Sequence, residues 1–251
     1  MNIKLQLKLF NIEFKENLLQ VDNVEYHGVP RLIEELLPVL YDPKSVTLEQ
    51  LKKPLYQMFR AVHRKDDQKL FEKFKLRYDV TVMAPYNLGP ELPKTLGHYH
   101  PIAVEELSFM EVYEVLHGRA HYLLQHKPPR DEVDRVVLIE ATPGDIVVIP
   151  PNYGHVTINA GGTFLVMSNL VASTFKSLYD EYLKRRGAIY YELIDGRLIF
   201  NKNYPAEVSL EKFSKPEEEF SLDLRADLYA SFIENPERFK FLIDPRLWKS
   251  E

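Results

Sequence analysis

The sequence predicts an all-β domain of the sandwich or barrel type, with helices at its flanks. Three observations carry this reading. Short runs rich in Val, Ile and Tyr recur at close spacing over 78–84, 111–117, 120–125, 135–140, 145–149, 155–160 and 164–170, the pattern of many half-buried strands. Turn formers separate them at Gly89-Pro90, Gly118, Pro128-Pro129, Pro143-Gly144, Pro150-Pro151 and Gly161-Gly162. No crossover helix interrupts the run, which argues against a parallel sheet of βαβ units.

The remaining elements follow in chain order. Residues 1–53 read as a mixed segment that packs on the barrel. Its first residues, MNIKLQLKLFNIEF, alternate apolar and polar side chains. Thr47-Leu-Glu-Gln50 forms a capping box for a short helix that Pro54 stops. Leu55 to Val62 reads as a strand, and the charged stretch Lys65 to Lys75 as a connection or short helix. The barrel unit with its following helix and hairpin is expected over 54–205. In 173–187, Phe175, Leu178, Tyr179, Tyr182 and Leu183 fall on one helical face. Arg185 and Arg186 would occupy its last turn and Gly187 its cap. Asp195-Gly196 between two apolar runs signals a hairpin. Residues 206–251 are expected to form a helical extension, with helices over Ala226–Glu234 and from Pro236 to Ile243. Phe232, Phe239, Phe241, Leu242 and Trp248 then need a surface to cover, either the barrel or a second subunit.

Composition narrows the chemistry. The chain has 251 residues and no cysteine, so disulfides, thiolate metal sites and a cysteine nucleophile are excluded. Charges of both signs are interspersed around a net charge of −5 with no basic arm, so nucleic acid is not an expected partner. No apolar run approaches the ~18 residues of a membrane helix, and the N-terminus lacks the continuous apolar run of a signal peptide. A cytoplasmic protein without a membrane partner is expected.

His98-Tyr-His100 is the feature that points to chemistry. Residues two apart on a strand share a face, so two imidazoles would converge on one interior. The competing reading is a pair of polar residues on a solvated face. Further spacings bear on the choice. Glu111 precedes Gly118 by seven positions, Gly144 precedes Pro150 by six, and His155 and Asn159 lie five and nine beyond Pro150. Together these resemble the two-part cupin signature. Asn152 stands where the signature has Gly, a tolerable change because Asn adopts left-handed backbone geometry. Leu92 stands in place of another signature Gly. Glu111 is preferred over Glu105 as the acidic member, because the strand and Gly118 that follow it fit the pattern and Glu111, Tyr113, Val115 and His117 would share one face. Residues 101–109 then form an insertion beside the site.

The local wording is more specific than a generic cupin. Thr95-Leu-Gly-His-Tyr-His100, Glu111-Val-Tyr-Glu-Val-Leu-His-Gly118, Pro143-Gly-Asp and Pro150-Pro-Asn-Tyr-Gly-His-Val-Thr-Ile-Asn159 resemble the cupin-type (archaeal-type) phosphoglucose isomerases, over roughly 54–200. The resemblance implies a double-stranded β-helix (jelly-roll) barrel, a homodimer, and interconversion of glucose 6-phosphate and fructose 6-phosphate. It implies one divalent metal on His98, His100, Glu111 and His155, Fe²⁺ first, with Zn²⁺, Mn²⁺ or Ni²⁺ as other candidates. Three imidazoles and a carboxylate leave coordination positions open, the layout of a catalytic site.

Thr95 and Gly97 are implied near the sugar phosphate, with Lys94 as a further candidate; Tyr56 and Thr81 match other substrate contacts. Plain strand propensity is the competing reading of Thr95. Tyr113, two residues after Glu111, is expected to line the cavity; Glu111 is the candidate base for a proton transfer between C1 and C2, and a metal-assisted hydride shift, which leaves Glu111 as a ligand only, is the other route. The family's His-x-Tyr-Gly element is absent; here the chain reads Phe175-Lys-Ser-Leu-Tyr179-Asp, which leaves Tyr179 for part of that role and Lys176 as a guess for phosphate. Tyr99 is expected to face away from the metal, and His27, His63, His117, His121 and His126 to fill packing or surface roles, as are Tyr122, Tyr190 and Tyr191. Other readings are another cupin metalloenzyme, such as a dioxygenase or a different sugar-phosphate isomerase, and a sugar-binding cupin without turnover.

Overall fold

Alternating apolar residues at the N-terminus build a meander of four antiparallel strands: β1 (Asn2–Gln6), β2 (Asn11–Lys15), β3 (Leu18–Val21) and β4 (Val24–His27). The computed structural model describes residues 2–22 and 24–248; Met1, Asn23 and residues 249–251, which belong to the terminal segments read from the sequence, lie outside them. After β5 (Val29–Leu32) come two one-turn helices, α1 (Ile33–Leu36) and α2 (Leu48–Leu51). The expected capping box opens α2, with the backbone N–H of Thr47 donating to Gln50 Oε1 over 3.0 Å. Then follow β6 (Pro54–Phe59), α3 (Gln68–Phe74) and β7 (Leu76–Met83).

The barrel strands sit where the apolar runs place them. After a small hairpin, β8 (Ile102–Val104) and β9 (Leu107–Ser108), they are β10 (Glu111–His117), β11 (Ala120–His126), β12 (Arg135–Ala141), β13 (Ile146–Ile149), β14 (Tyr153–Asn159) and β15 (Leu165–Ala172). They divide between two sheets, ordered β13-β10-β15-β7-β6-β5 and β14-β11-β12. From β10 on the chain crosses between the two sheets at every connection except the β11–β12 hairpin, which is the jelly-roll connection of a cupin barrel. β5 extends the first sheet on the N-terminal side of residue 54.

Three apolar clusters follow from the two-residue period of these strands. One fills the space between the sheets and includes Tyr113, Val115, Tyr122, Leu124, Ile139 and Met167. A second coats the outer face of the larger sheet. There Phe232, Phe239, Phe241 and Leu242 are buried against Tyr78, Val80 and Val112, and Trp248 packs at the edge. The aromatic residues of the tail therefore cover this chain's own barrel. The third cluster lies under the hairpin of β16 (Tyr190–Glu192) and β17 (Leu198–Phe200).

Two expectations are corrected. The helix expected over 173–187 is reduced to α4 (Asp180–Lys184). Leu178 exchanges backbone hydrogen bonds of 2.8 and 2.9 Å with Tyr99, and this bridge holds the preceding segment extended despite its helical spacing. The tail is not wholly helical either. Leu210–Phe213 forms β18, parallel to β12 at the edge of the smaller sheet, before α5 (Leu228–Glu234) and a 3₁₀ helix over Pro236–Leu242. The exposed edge of β12 offers unpaired backbone groups, and pairing overrides the local preference.

Candidate metal centre and substrate pocket

His98 and His155 face each other in an isolated bridge. Each backbone N–H donates to the other residue's carbonyl, over 3.2 and 3.1 Å. Gly97 makes the approach workable. Its φ is +85°, and a Cβ there would lie 2.5 Å from the Tyr182 ring and 2.7 Å from Val156, so a larger residue would push the turn off β14. His100 lies two residues on, and Glu111 reaches in from the first residue of β10.

The ligand-type atoms of His98, His100, Glu111 and His155 all lie within 4.8 Å of one another. Glu111 Oε2 is 3.3 Å from His100 Nε2 and 3.4 Å from His155 Nε2. His100 Nδ1 is 2.9 Å from the carbonyl of Phe109, which fixes Nδ1 as the donor and turns the lone pair of Nε2 inward. Asn169 Nδ2 donates to Glu111 Oε1 over 2.6 Å, leaving Oε2 buried and without a hydrogen bond. A buried carboxylate oxygen without a donor is costly, and here it faces three imidazoles. The residues present therefore fit a divalent cation. Glu105, the alternative acid, is exposed and 3.4 Å from Arg246.

Electrostatics favour the same use. Burial pushes the His98 imidazole well below its ordinary pKa, with the neighbouring imidazoles adding to the effect. Burial also lowers that of His155, against the pull of Glu111. Both are held neutral, as ligands must be. For Glu111, burial opposes ionisation, and His100 and His155 bearing protons would hold the carboxyl well below the usual range; a cation held by the neutral imidazoles would supply that positive charge instead. Burial, with Glu111 adding, raises the Tyr113 phenol well above its ordinary value. Its hydroxyl sits 3.1 Å from His155 Nε2.

Tyr56, Thr81, Thr95, Gly97 and Tyr179 line one cavity together with His98, His100, Glu111 and Tyr113. Thr95 Oγ1 accepts from the backbone N–H of Thr157 over 3.0 Å, so its hydroxyl hydrogen is directed elsewhere. Tyr179 stands 5.6 Å from His98 between ring centroids. Lys94, by contrast, is buried away from the cavity, where it pairs with Glu91 and donates to the carbonyl of Val39 over 2.8 Å. It cannot serve a phosphate. Lys176 is exposed and not part of the cavity wall. His117 is exposed too, because the register slips between Val115 and His117 and turns it off the shared face.

Other assignments follow the sequence. Tyr99 turns away, accepting from Gln125 Nε2 over 2.7 Å. His121 pairs with Glu192 at 2.8 Å and His126 with Asp134 at 2.6 Å. Asn152 has φ +67°, as its place in the signature requires, and its Oδ1 accepts from Ser108 N over 3.0 Å, tying down the insertion. Sequence reasoning missed Asn169, Arg60, Arg77 and Phe175. Phe175 stacks on Phe109 at 4.8 Å and leans on His100 at 4.7 Å. Alternation along 164–170 could have placed Asn169 inside, as a polar residue on an inward position.

Fold and site together define a cupin with a ligand-type His₃Glu cluster inside its barrel. The glucose-6-phosphate isomerase family model matches residues 31–208. Glucose-6-phosphate isomerase of Thermococcus litoralis is 40% identical over 131 residues, covering 52% of this chain and 53% of that protein. The enzyme of Thermococcus gammatolerans is 36% identical over 87 residues, 35% of this chain and 41% of its own. That of Pyrococcus horikoshii is 29% identical over 143 residues, 53% and 68%. The chain thus spans about half the length of the first of these relatives and less of the second. Among solved structures, Lactobacillus farciminis oxalate decarboxylase aligns with TM-score 0.35 and 17% identity over 49% of this chain and 30% of its own. The chain belongs to the cupin-type glucose-6-phosphate isomerase family. Among the described residues, no helix is long and apolar enough to cross a membrane.

Proposed function

We propose that the chain interconverts glucose 6-phosphate and fructose 6-phosphate, with one divalent metal held by His98, His100, Glu111 and His155. The observation that carries the reading is the cavity that brings His98, His100 and Glu111 of this cluster together with Thr95, Gly97, Tyr56, Thr81 and Tyr179. Hydroxyls and backbone N–H groups at Thr95 and Gly97 would hold the phosphate, with Tyr56 and Thr81 opposite. A divalent cation, Fe²⁺ first among Fe²⁺, Zn²⁺, Mn²⁺ and Ni²⁺, would supply stabilisation of negative charge on the sugar oxygens.

The chain's own groups account for orientation and proton management. Glu111 is ionised, the state needed both of a ligand and of a base that moves a proton between C1 and C2. Asn169 fixes one of its oxygens. Tyr113 stays a phenol at neutral pH and can donate to a substrate oxygen. A cytoplasmic homodimer is part of the same reading, by resemblance.

The test is a coupled assay of fructose 6-phosphate conversion before and after chelation, with each metal returned in turn. Conversion that chelation abolishes and a metal restores is expected, and Glu111→Gln should remove it. No conversion with any metal refutes the reading.

A further inference from the structure

The cavity has a second polar feature, built from residues distant in the chain. Asp79 on β7 is fully buried. It accepts from Arg60 Nη1 over 2.5 Å, from Arg77 Nε over 2.9 Å and from the backbone N–H of Ala61 over 2.9 Å. One carboxylate thus fixes two guanidinium groups, and both line the cavity. The cluster carries one uncompensated positive charge. Arg60 keeps 43% of its side chain exposed, although it is anchored to a fully buried partner. Arg60 is held by Asp79 through Nη1 and its Nη2 lies 3.2 Å from the weakly accepting Met58 Sδ, so of its five N–H donors some remain for a ligand.

Strand register places this charge. Glu111 pairs with Val171 on β15, which pairs with Arg77; Tyr113 pairs with Asn169, which pairs with Asp79. Arg77 and Asp79 are therefore level with the carboxylate and phenol of the metal cluster. Thr81 lies two residues further along β7, level with Met167 and Val115, and Tyr56 lies beyond it opposite Met83. Thr95 bonds Thr157, two residues past His155. The cavity is consequently polarised, with hydroxyl groups at one end and the metal cluster and guanidinium groups at the other. Arg60 is close enough to Glu111 for the carboxylate's charge to act on it.

Resting on the isomerase reading above, we propose that Arg60 contacts the oxygens of the reacting carbons C1 and C2 and recognises negative charge there, with Asp79 and Arg77 as its positioning residues. A phosphate at the Thr95 end puts C1 and C2 at the Arg60 end. When the base takes the C2 proton of the open-chain aldose, that electron pair forms the C1=C2 bond and the carbonyl pair moves to O1. The same proton is returned at C1, and the O2 hydroxyl proton passes to O1, giving the ketose. Arg60 N–H groups donate to the oxygen that carries the charge between these transfers, without losing a proton. The same geometry should favour ligands with a carboxylate at C1 over those with an alcohol.

Titration calorimetry on metal-loaded protein tests this with gluconate 6-phosphate and glucitol 6-phosphate, which differ in that carboxylate. The native protein should bind the gluconate more tightly. Arg60→Met should weaken gluconate binding by about 10- to 100-fold, the effect of losing a charge-assisted hydrogen bond, and leave the glucitol affinity within about twofold. Arg60→Met leaves Asp79 paired with Arg77; Arg60→Gln, which is uncharged but can still donate to Asp79, should lose the preference likewise if the first change fails to fold. Arg60→Lys should restore part of the preference. An unchanged gluconate-to-glucitol ratio in folded Arg60→Met overturns the proposal and leaves the isomerase reading standing. Failure of the native protein to bind either phosphate overturns both.

Discussion

Removing a divalent metal from the His98–His100–Glu111–His155 cluster and returning it should shift the melting temperature by a calculable amount. The four groups are on three separate segments, the 98–100 loop, β10 and β14, and meet only in the folded barrel. A cation that binds them therefore binds the native state in preference to the unfolded chain, and contributes RT ln(1 + [L]/Kd) to stability. At free metal 100-fold above Kd this is about 2.7 kcal/mol. For a chain of this length each kcal/mol is worth roughly 2–4 °C, so the shift should be about 5–11 °C. The assay is differential scanning fluorimetry of chelated and reconstituted protein, with elemental analysis of the same samples. His155→Ala should abolish most of the metal-dependent shift, whatever its own melting temperature. Native protein that takes up no stoichiometric metal, or melts alike with and without it, refutes the assignment of these residues as ligands.

Two further outcomes follow from single contacts. Asn169→Leu removes the 2.6 Å hydrogen bond that aims Glu111; metal affinity should fall about 10- to 100-fold, as for other supporting contacts, with near-normal circular dichroism, and an unchanged affinity by competition with a chelator would show that Asn169 does not orient the ligand. Glu114, on the outer side of β10, accepts from the Leu228 N–H over 2.8 Å, and burial, opposed by that bond and assisted by Asp227, pushes its carboxyl up to about 7. The folded state then holds this proton more tightly than the unfolded chain, so the contribution is present below about 4.5 and is lost as pH rises through about 7. Glu114→Gln should keep the hydrogen-bond acceptor and stabilise the protein at pH 8 by about 1–3 kcal/mol relative to native, with little effect at pH 4.5; urea unfolding that shows the same pH dependence in both proteins would count against it.

The sequence by itself determined the barrel strands and picked out His98, His100, Glu111 and His155, which the fold brings together. Alternation of side chains across a pleat is a local property, so 111–117 and 135–140 can be read without knowing their partners. His98-x-His100 projects two imidazoles to one side for the same reason, and the Pro150–Asn159 run fixes His155 within its own turn and strand. Asn152 could be read as a left-handed turn residue because that preference belongs to its own backbone.

Tertiary structure decided whatever depends on partners distant in the chain. Asn169 and Glu111 are 58 residues apart, and nothing local to either announces the other; strand order brings them together. Arg60, Arg77 and Asp79 read as ordinary charged residues until β6 and β7 pair and bury the carboxylate. Lys94 stood beside Thr95 in the sequence but turned inward to Glu91, because adjacent residues on extended backbone face opposite ways. Phe175 and Leu178 carried helical spacing, yet the backbone bonds of Leu178 to Tyr99 held them extended. Periodicity reports which side of an element is apolar; only the pairing of strands decides which polar groups meet across the cavity.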